Sequence, residues 1–80
     1  MPWLRESPLF HLAWAAPADA PPRPLPGDLL CYHIGRSVHH LGIVADHREF
    51  FHIVKHYGAI YSLLADSTYH RRLAAVFTPL

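Results

Sequence analysis

The chain has 80 residues, a formal net charge of +1 and a hydrophobic content of 51%. This length limits it to one domain with a marginal core, and the apolar content excludes a fully disordered chain. The near-neutral charge excludes a nucleic-acid binder that works by neutralising phosphates. No apolar run is long enough to cross a bilayer, and the single cysteine, Cys31, excludes an intrachain disulfide.

Residues 1–26 form an apolar, proline-rich arm that holds seven of the eight prolines. Ser7 is a good N-cap and Pro8 suits the first helical position, so the sequence predicts a short helix over residues 9–16. The prolines of residues 17–26 remove backbone donors and favour extended geometry. This second part of the arm is therefore predicted to be a polyproline-like spacer.

The apolar side chains of the arm allow three interpretations. Trp3, Phe10 and Trp14 either cover the chain's own sheet or anchor the chain to another subunit, since exposed aromatic patches usually mark an interface. The third interpretation is a signal peptide, with Arg5 as its basic region and residues 18–20 as its cleavage site. The neighbouring acidic residue and the prolines disfavour secretion, so we expect a docking arm.

Residues 27–80 predict a small antiparallel β-meander of about five strands, because strand-like runs recur at roughly ten-residue spacing between turn residues. The expected fold class is mainly β, the remnant of an α+β domain. Apolar residues occur on both faces of the sheet, and one sheet cannot bury both faces alone, so we expect a covering partner. The predicted strands span residues 29–34, 40–45, 49–54, 59–63 and 72–77, and one helical turn at residues 64–69 is capped by Asp66 or Ser67.

The second predicted hairpin brings two histidines together. A three-residue loop pairs Ala45 with Glu49, which sets Gly42 opposite His52 and places His40 diagonally beside it. A two-residue loop would put the two imidazoles on opposite faces. Gly42 favours the first arrangement because it leaves room for the rings. Such a pair can act as a general base and the group that orients it, or it can be a partly buried pair without chemistry.

The first predicted hairpin adds the thiol to the same face. A four-residue connection after Ile34 sets Cys31 opposite Gly42 and His33 opposite His40. Cys31 would lie in mid-strand, away from any helix N-terminus or cation that could make it a thiolate, so it is a poor nucleophile. No carboxylate or thiolate stands at zinc-ligand spacing from the histidines, and we expect neither metal nor cofactor.

Five short segments follow one another along the second part of the chain. They are Pro-Gly-Asp-Leu-Leu at 26–30, Gly-Arg at 35–36, His-His-Leu-Gly-Ile-Val at 39–44, Phe-Phe-His at 50–52 and Tyr-His-Arg-Arg-Leu-Ala-Ala-Val-Phe at 69–77. Their order resembles the carboxy-terminal half of NlpC-type cysteine peptidases, which are papain-like enzymes that cut the peptide stems of peptidoglycan. The resemblance implies that His40 is the family's catalytic histidine and that His52 holds the third, ring-orienting position. The last segment resembles versions found in phage tails and gene-transfer-agent-like particles.

The nucleophile departs from the family pattern. In that family the reactive cysteine begins a helix in the amino-terminal half, where the helix N-terminus lowers the thiol pKa. Residues 1–26 contain no cysteine. The sequence therefore predicts a catalytically incomplete relative, a structural component of a phage or phage-like tail tip that docks on neighbouring subunits in the virion.

Two alternatives remain. The first is an active peptidoglycan peptidase whose nucleophile comes from another chain or from Cys31. The second is a small histidine-rich metal-binding module, since the chain contains eight histidines. The expected partners are protein subunits of a larger assembly, together with peptidoglycan if the enzyme is active.

Overall fold

The computed structural model describes residues 6–80, except the side chain of His39, so the predicted anchor Trp3 lies outside the described residues. Over this range the fold is mainly β and consists of one six-stranded antiparallel sheet with a short helix, α1 (Ser67–Arg72). No helix of this range is long and apolar enough to cross a membrane. The strands are β1 (Phe10–Ala15), β2 (Leu29–Ile34), β3 (Ser37–Val44), β4 (Glu49–Val54), β5 (Gly58–Leu63) and β6 (Leu73–Pro79).

The strand order is β1-β6-β2-β3-β4-β5. Strands β2 to β5 follow one another as the predicted meander. The last strand departs from the prediction, because α1 carries the chain back across the sheet and β6 pairs between β1 and β2. Asp66 caps α1, and its side chain accepts a hydrogen bond from the Thr68 amide at 2.9 Å.

The predicted helix over residues 9–16 is wrong, since Phe10–Ala15 is the strand β1 at one edge of the sheet. The residues that predicted a helix start form only a turn, in which Ser7 Oγ accepts a hydrogen bond from the Leu9 amide at 3.1 Å. An isolated helix of this length is marginal in water, whereas pairing with β6 satisfies the backbone and lets the large side chains pack. Tertiary pairing therefore outweighs the local signal.

The two faces of the sheet bury different clusters. The first face packs Leu30, Tyr32, Val44, Phe50, Leu73 and Val76, with Trp14, Leu64 and Tyr69 against them. The second face packs Cys31, Ala75 and Phe77, with Phe10, Leu29, Val38 and Leu41 against them.

The aromatic side chains of β1 pack on this chain's own sheet. Trp14 lies on the first face, and its indole Nε1 donates to the carbonyl of Ala20 at 2.9 Å, which draws the proline-rich segment back toward that face. Phe10 lies on the second face beside the Cys31 cluster. Both rings stay half-buried, and their contact with another subunit remains a prediction.

Candidate functional site

Strands β3 and β4 place His40 and His52 in direct contact on the first face. Gly42 pairs with His52 across the two strands, as predicted, so His40 stands diagonally to His52. His40 Nε2 and His52 Nδ1 lie 2.8 Å apart, within hydrogen-bond distance, and the two rings meet edge to face at 90°. The prediction from side-chain alternation and a three-residue loop, that His40 and His52 share one face of the second hairpin, is therefore confirmed.

Gly42 makes this packing possible because the Phe50 ring crosses directly over it. A Cβ at position 42 would stand 2.8 Å from Phe50 Cδ2, closer than carbon atoms in contact allow. Phe50 in turn lies 4.5 Å, ring centre to ring centre, from His52. The glycine thus fixes the position of the ring that supports one imidazole.

Ser62 on β5 extends the pair into a chain of hydrogen bonds. Its Oγ lies 2.7 Å from His52 Nε2. When His40 is protonated its Nε2 must donate, so His52 Nδ1 accepts and the proton of His52 sits on Nε2, from which it donates to Ser62. A neutral His52 held in this way orients the His40 ring.

Aromatic side chains pack around the pair on the first face. Tyr69, carried by α1, meets His52 edge to face at a ring separation of 4.9 Å, and Tyr32 lies 6.0 Å from His40. His52 is only 2% exposed, and this burial, with a smaller contribution from His40, lowers the pKa of His52 below its ordinary value. His52 is accordingly neutral near pH 7, the state in which it can accept from His40.

The predicted position of Cys31 is wrong. Cys31 pairs with Leu41, and Tyr32 pairs with His40, so the thiol lies on the second face, behind the sheet from the imidazoles. It is fully buried there, and burial raises the pKa of the Cys31 thiol to about 11. His33 pairs with Val38 and is also absent from the His40 face.

A β-bulge in the first hairpin explains this error. Gly35, with φ of +64°, starts a two-residue turn that pairs Ile34 with Ser37, instead of the four-residue connection that we predicted. A β-bulge next to Tyr32 then shifts the register by one residue. Because side chains alternate, this single step moves Cys31 to the other face of the sheet.

Sequence reasoning missed two members of the site. Ser62 could have been found by parity, because the three-residue turn after Val54 pairs that residue with Gly58 and thereby puts Ser62 opposite Phe50. Tyr69 gave no such signal, since its place depends on how α1 crosses the sheet. Among the side chains that the structure describes, which leave out His39, no three histidine, cysteine or acidic groups are arranged to hold a metal ion.

Comparisons with protein-family models, with curated proteins and with solved structures found no match to this chain. The site therefore rests on its own geometry, which is a buried neutral imidazole that orients a second imidazole under an aromatic cover.

Proposed function

We propose that the protein is a structural, docking subunit of a larger assembly, built on an NlpC-like sheet whose catalytic machinery is incomplete. The observation that carries the proposal is the separation of thiol and imidazole. Cys31 lies on the second face with its pKa raised to about 11, whereas His40 and His52 lie on the first. A thiol and a base that cannot meet cannot perform acyl transfer, because such groups act as a unit.

The resemblance in sequence to phage-tail versions of the family suggests the assembly, a tail tip of a phage or phage-like particle. The open apolar part of the second face supports a docking role. Ile53 and Tyr61 are 69% and 62% exposed there beside further exposed apolar side chains, and a contiguous apolar patch of this kind typically marks an interface. Mass spectrometry of particles purified from the encoding host should find the chain in the particle, and its absence from them would contradict the proposed location.

A peptidoglycan digest tests the proposed lack of activity. The purified chain is incubated with peptidoglycan, and new free amino groups are measured for the wild type and for His40→Ala. We expect no release above buffer from either protein. Release by the wild type that is lost in His40→Ala would overturn the proposal, because it would show that the imidazole works with a nucleophile.

A second candidate is a peptidase that receives its cysteine from another chain. The hydrogen-bonded series of His40, His52 and Ser62 favours this candidate. With its proton on Nε2, His52 can accept a hydrogen bond from His40 at Nδ1 and so hold the His40 ring in place as a general base. In that case a thiol from the partner would lose its proton to His40 and attack a peptide carbonyl of the wall. The C–N bond would break as His40 returns the proton to the leaving amine, and water would then hydrolyse the thioester. Adding candidate partner subunits to the same digest distinguishes the two functions, because only a split enzyme gains activity that His40→Ala removes.

A further inference from the structure

The second face carries an exposed apolar surface over β3, β4 and β5. We call it the open patch, and its five side chains are between 37% and 69% exposed. The strand register places all five on one side of the sheet. A cavity of about 410 Å³ at β3 and β4 adjoins this surface, and Ile43, Phe51 and Ile53 of the patch line it together with His40 and His52. The open patch consists of Ile43, Phe51, Ile53, Tyr61 and Leu63.

The open patch is nearly free of charge. Among the described side chains of β3 to β5 on this face, only Glu49 is charged, and it stands at the rim opposite Leu63. Any occupant must therefore be apolar and must bring few charges, because desolvating an unpaired charge costs several kcal/mol. A second open patch meets both requirements.

The aromatic pair at the middle of the open patch suits a central anchor. Phe51 and Tyr61 face each other across β4 and β5 at a ring separation of 5.4 Å and an angle of 64°. This contact already holds both rings in place, so little side-chain entropy is lost when a partner covers them. Such preorganised aromatic residues typically dominate an interface.

We propose that the occupant is a second copy of this chain, packed sheet against sheet about a twofold axis. Five large side chains at these exposures present on the order of 500 Å² per copy, so a pair buries roughly 1,000 Å², which reaches the lower bound for a specific interface. A twofold axis sets the same patch against itself, and two sheets pack naturally face to face. This inference rests on the proposed function, which assigns docking to the second face, and it names the partner that docks there.

Sedimentation equilibrium of the full chain between about 1 and 300 µM tests the pairing. The wild type should show a dimer whose fraction rises with concentration. Ile53→Lys should weaken the dimer roughly tenfold or more, because it brings two ammonium groups into an apolar interface. Leu25→Lys is the matched control, since Leu25 is similarly exposed, at 63%, but lies on the proline-rich segment, and it should leave the dimer unchanged.

Tyr61→Lys is a second test at the same surface, and near-UV circular dichroism checks that each variant is folded. A folded wild type with the mass of one chain at every concentration would overturn the pairing, as would dimers that both lysine variants leave intact. Wall cleavage by such a dimer would overturn the proposed function and leave the pairing standing. A monomer that is nevertheless found in the particle would overturn the pairing and leave the proposed function standing.

Discussion

His52 is the residue at which the site and the stability of the fold are linked. Burial lowers its pKa in the folded state, while the unfolded chain has the ordinary value of about 6.5. Below that pH the unfolded state binds more protons than the folded state, so folding becomes less favourable. The stabilisation from a neutral His52 is complete above about pH 6.5 and is lost as the pH falls toward the folded-state pKa.

The first prediction is that His52→Gln flattens this pH dependence. The free energy of unfolding of the wild type, measured by urea denaturation from pH 7.5 down to 5, should fall more steeply than that of the variant. His70→Gln, at an exposed position on α1, is the matched histidine control and should follow the wild type. Parallel profiles for His52→Gln and the wild type would contradict the assignment of His52 as a buried neutral imidazole.

Gly42 sets a steric limit beside the same imidazole. An added methyl group at this position meets the Phe50 ring at 2.8 Å, and Phe50 is completely buried with little freedom to move. We predict that Gly42→Ala lowers the free energy of unfolding by about 1–3 kcal/mol, the usual cost of overpacking. In a double-mutant cycle with Phe50→Leu the two costs should be less than additive, whereas additive costs would place the clash elsewhere.

At the scale of the elements, the register of the hairpin of β3 and β4 was predictable, whereas the register of the first hairpin and the distant pairing of β1 were not. The hairpin of β3 and β4 followed from parity because Gly42 and His52 are close in the chain and one loop decides their register. In the first hairpin the β-bulge next to Tyr32 left no signal in the sequence, and it alone put Cys31 behind the sheet. The strand β1 pairs with β6, more than fifty residues away, so local signals around Ser7 could not reveal it.

Trp14 joins β1 to the proline-rich segment, and its two contacts can be separated by substitution. Trp14→Phe keeps a ring on the first face but removes the Nε1 bond to the Ala20 carbonyl, with an expected loss of about 1 kcal/mol. Trp14→Ala removes the packing as well and should cost about 2–4 kcal/mol. Both are measured by urea denaturation with Leu9→Ala, 68% exposed, as the control. Equal losses for the two Trp14 variants would contradict a packing role for the ring.

At the scale of the whole molecule, the two faces of the sheet differ in how much of each is covered. On the first face, α1 packs Tyr69 against His52, and Trp14 packs on the apolar cluster and holds the proline-rich segment. The second face is buried near Cys31 but open over β3 to β5. This open surface could not be read from composition, because the exposed area and its near absence of charge emerge only when the three strands β3 to β5 align.

The reactivity of Cys31 should report on the whole sheet. The thiol is fully buried in a central strand, and with a pKa of about 11 only about 0.1% of it is thiolate at pH 8 even when a reagent reaches it. We predict that a thiol reagent labels native Cys31 only through unfolding of the sheet, so labelling accelerates with urea in step with global unfolding. A chain with Cys31→Ala and Ala65→Cys, which has its thiol in an exposed turn, should be labelled at the rate of a free thiol without urea. Rapid labelling of native Cys31 would mean that the second face opens locally, and the separation of thiol from imidazole would then no longer exclude Cys31 from chemistry.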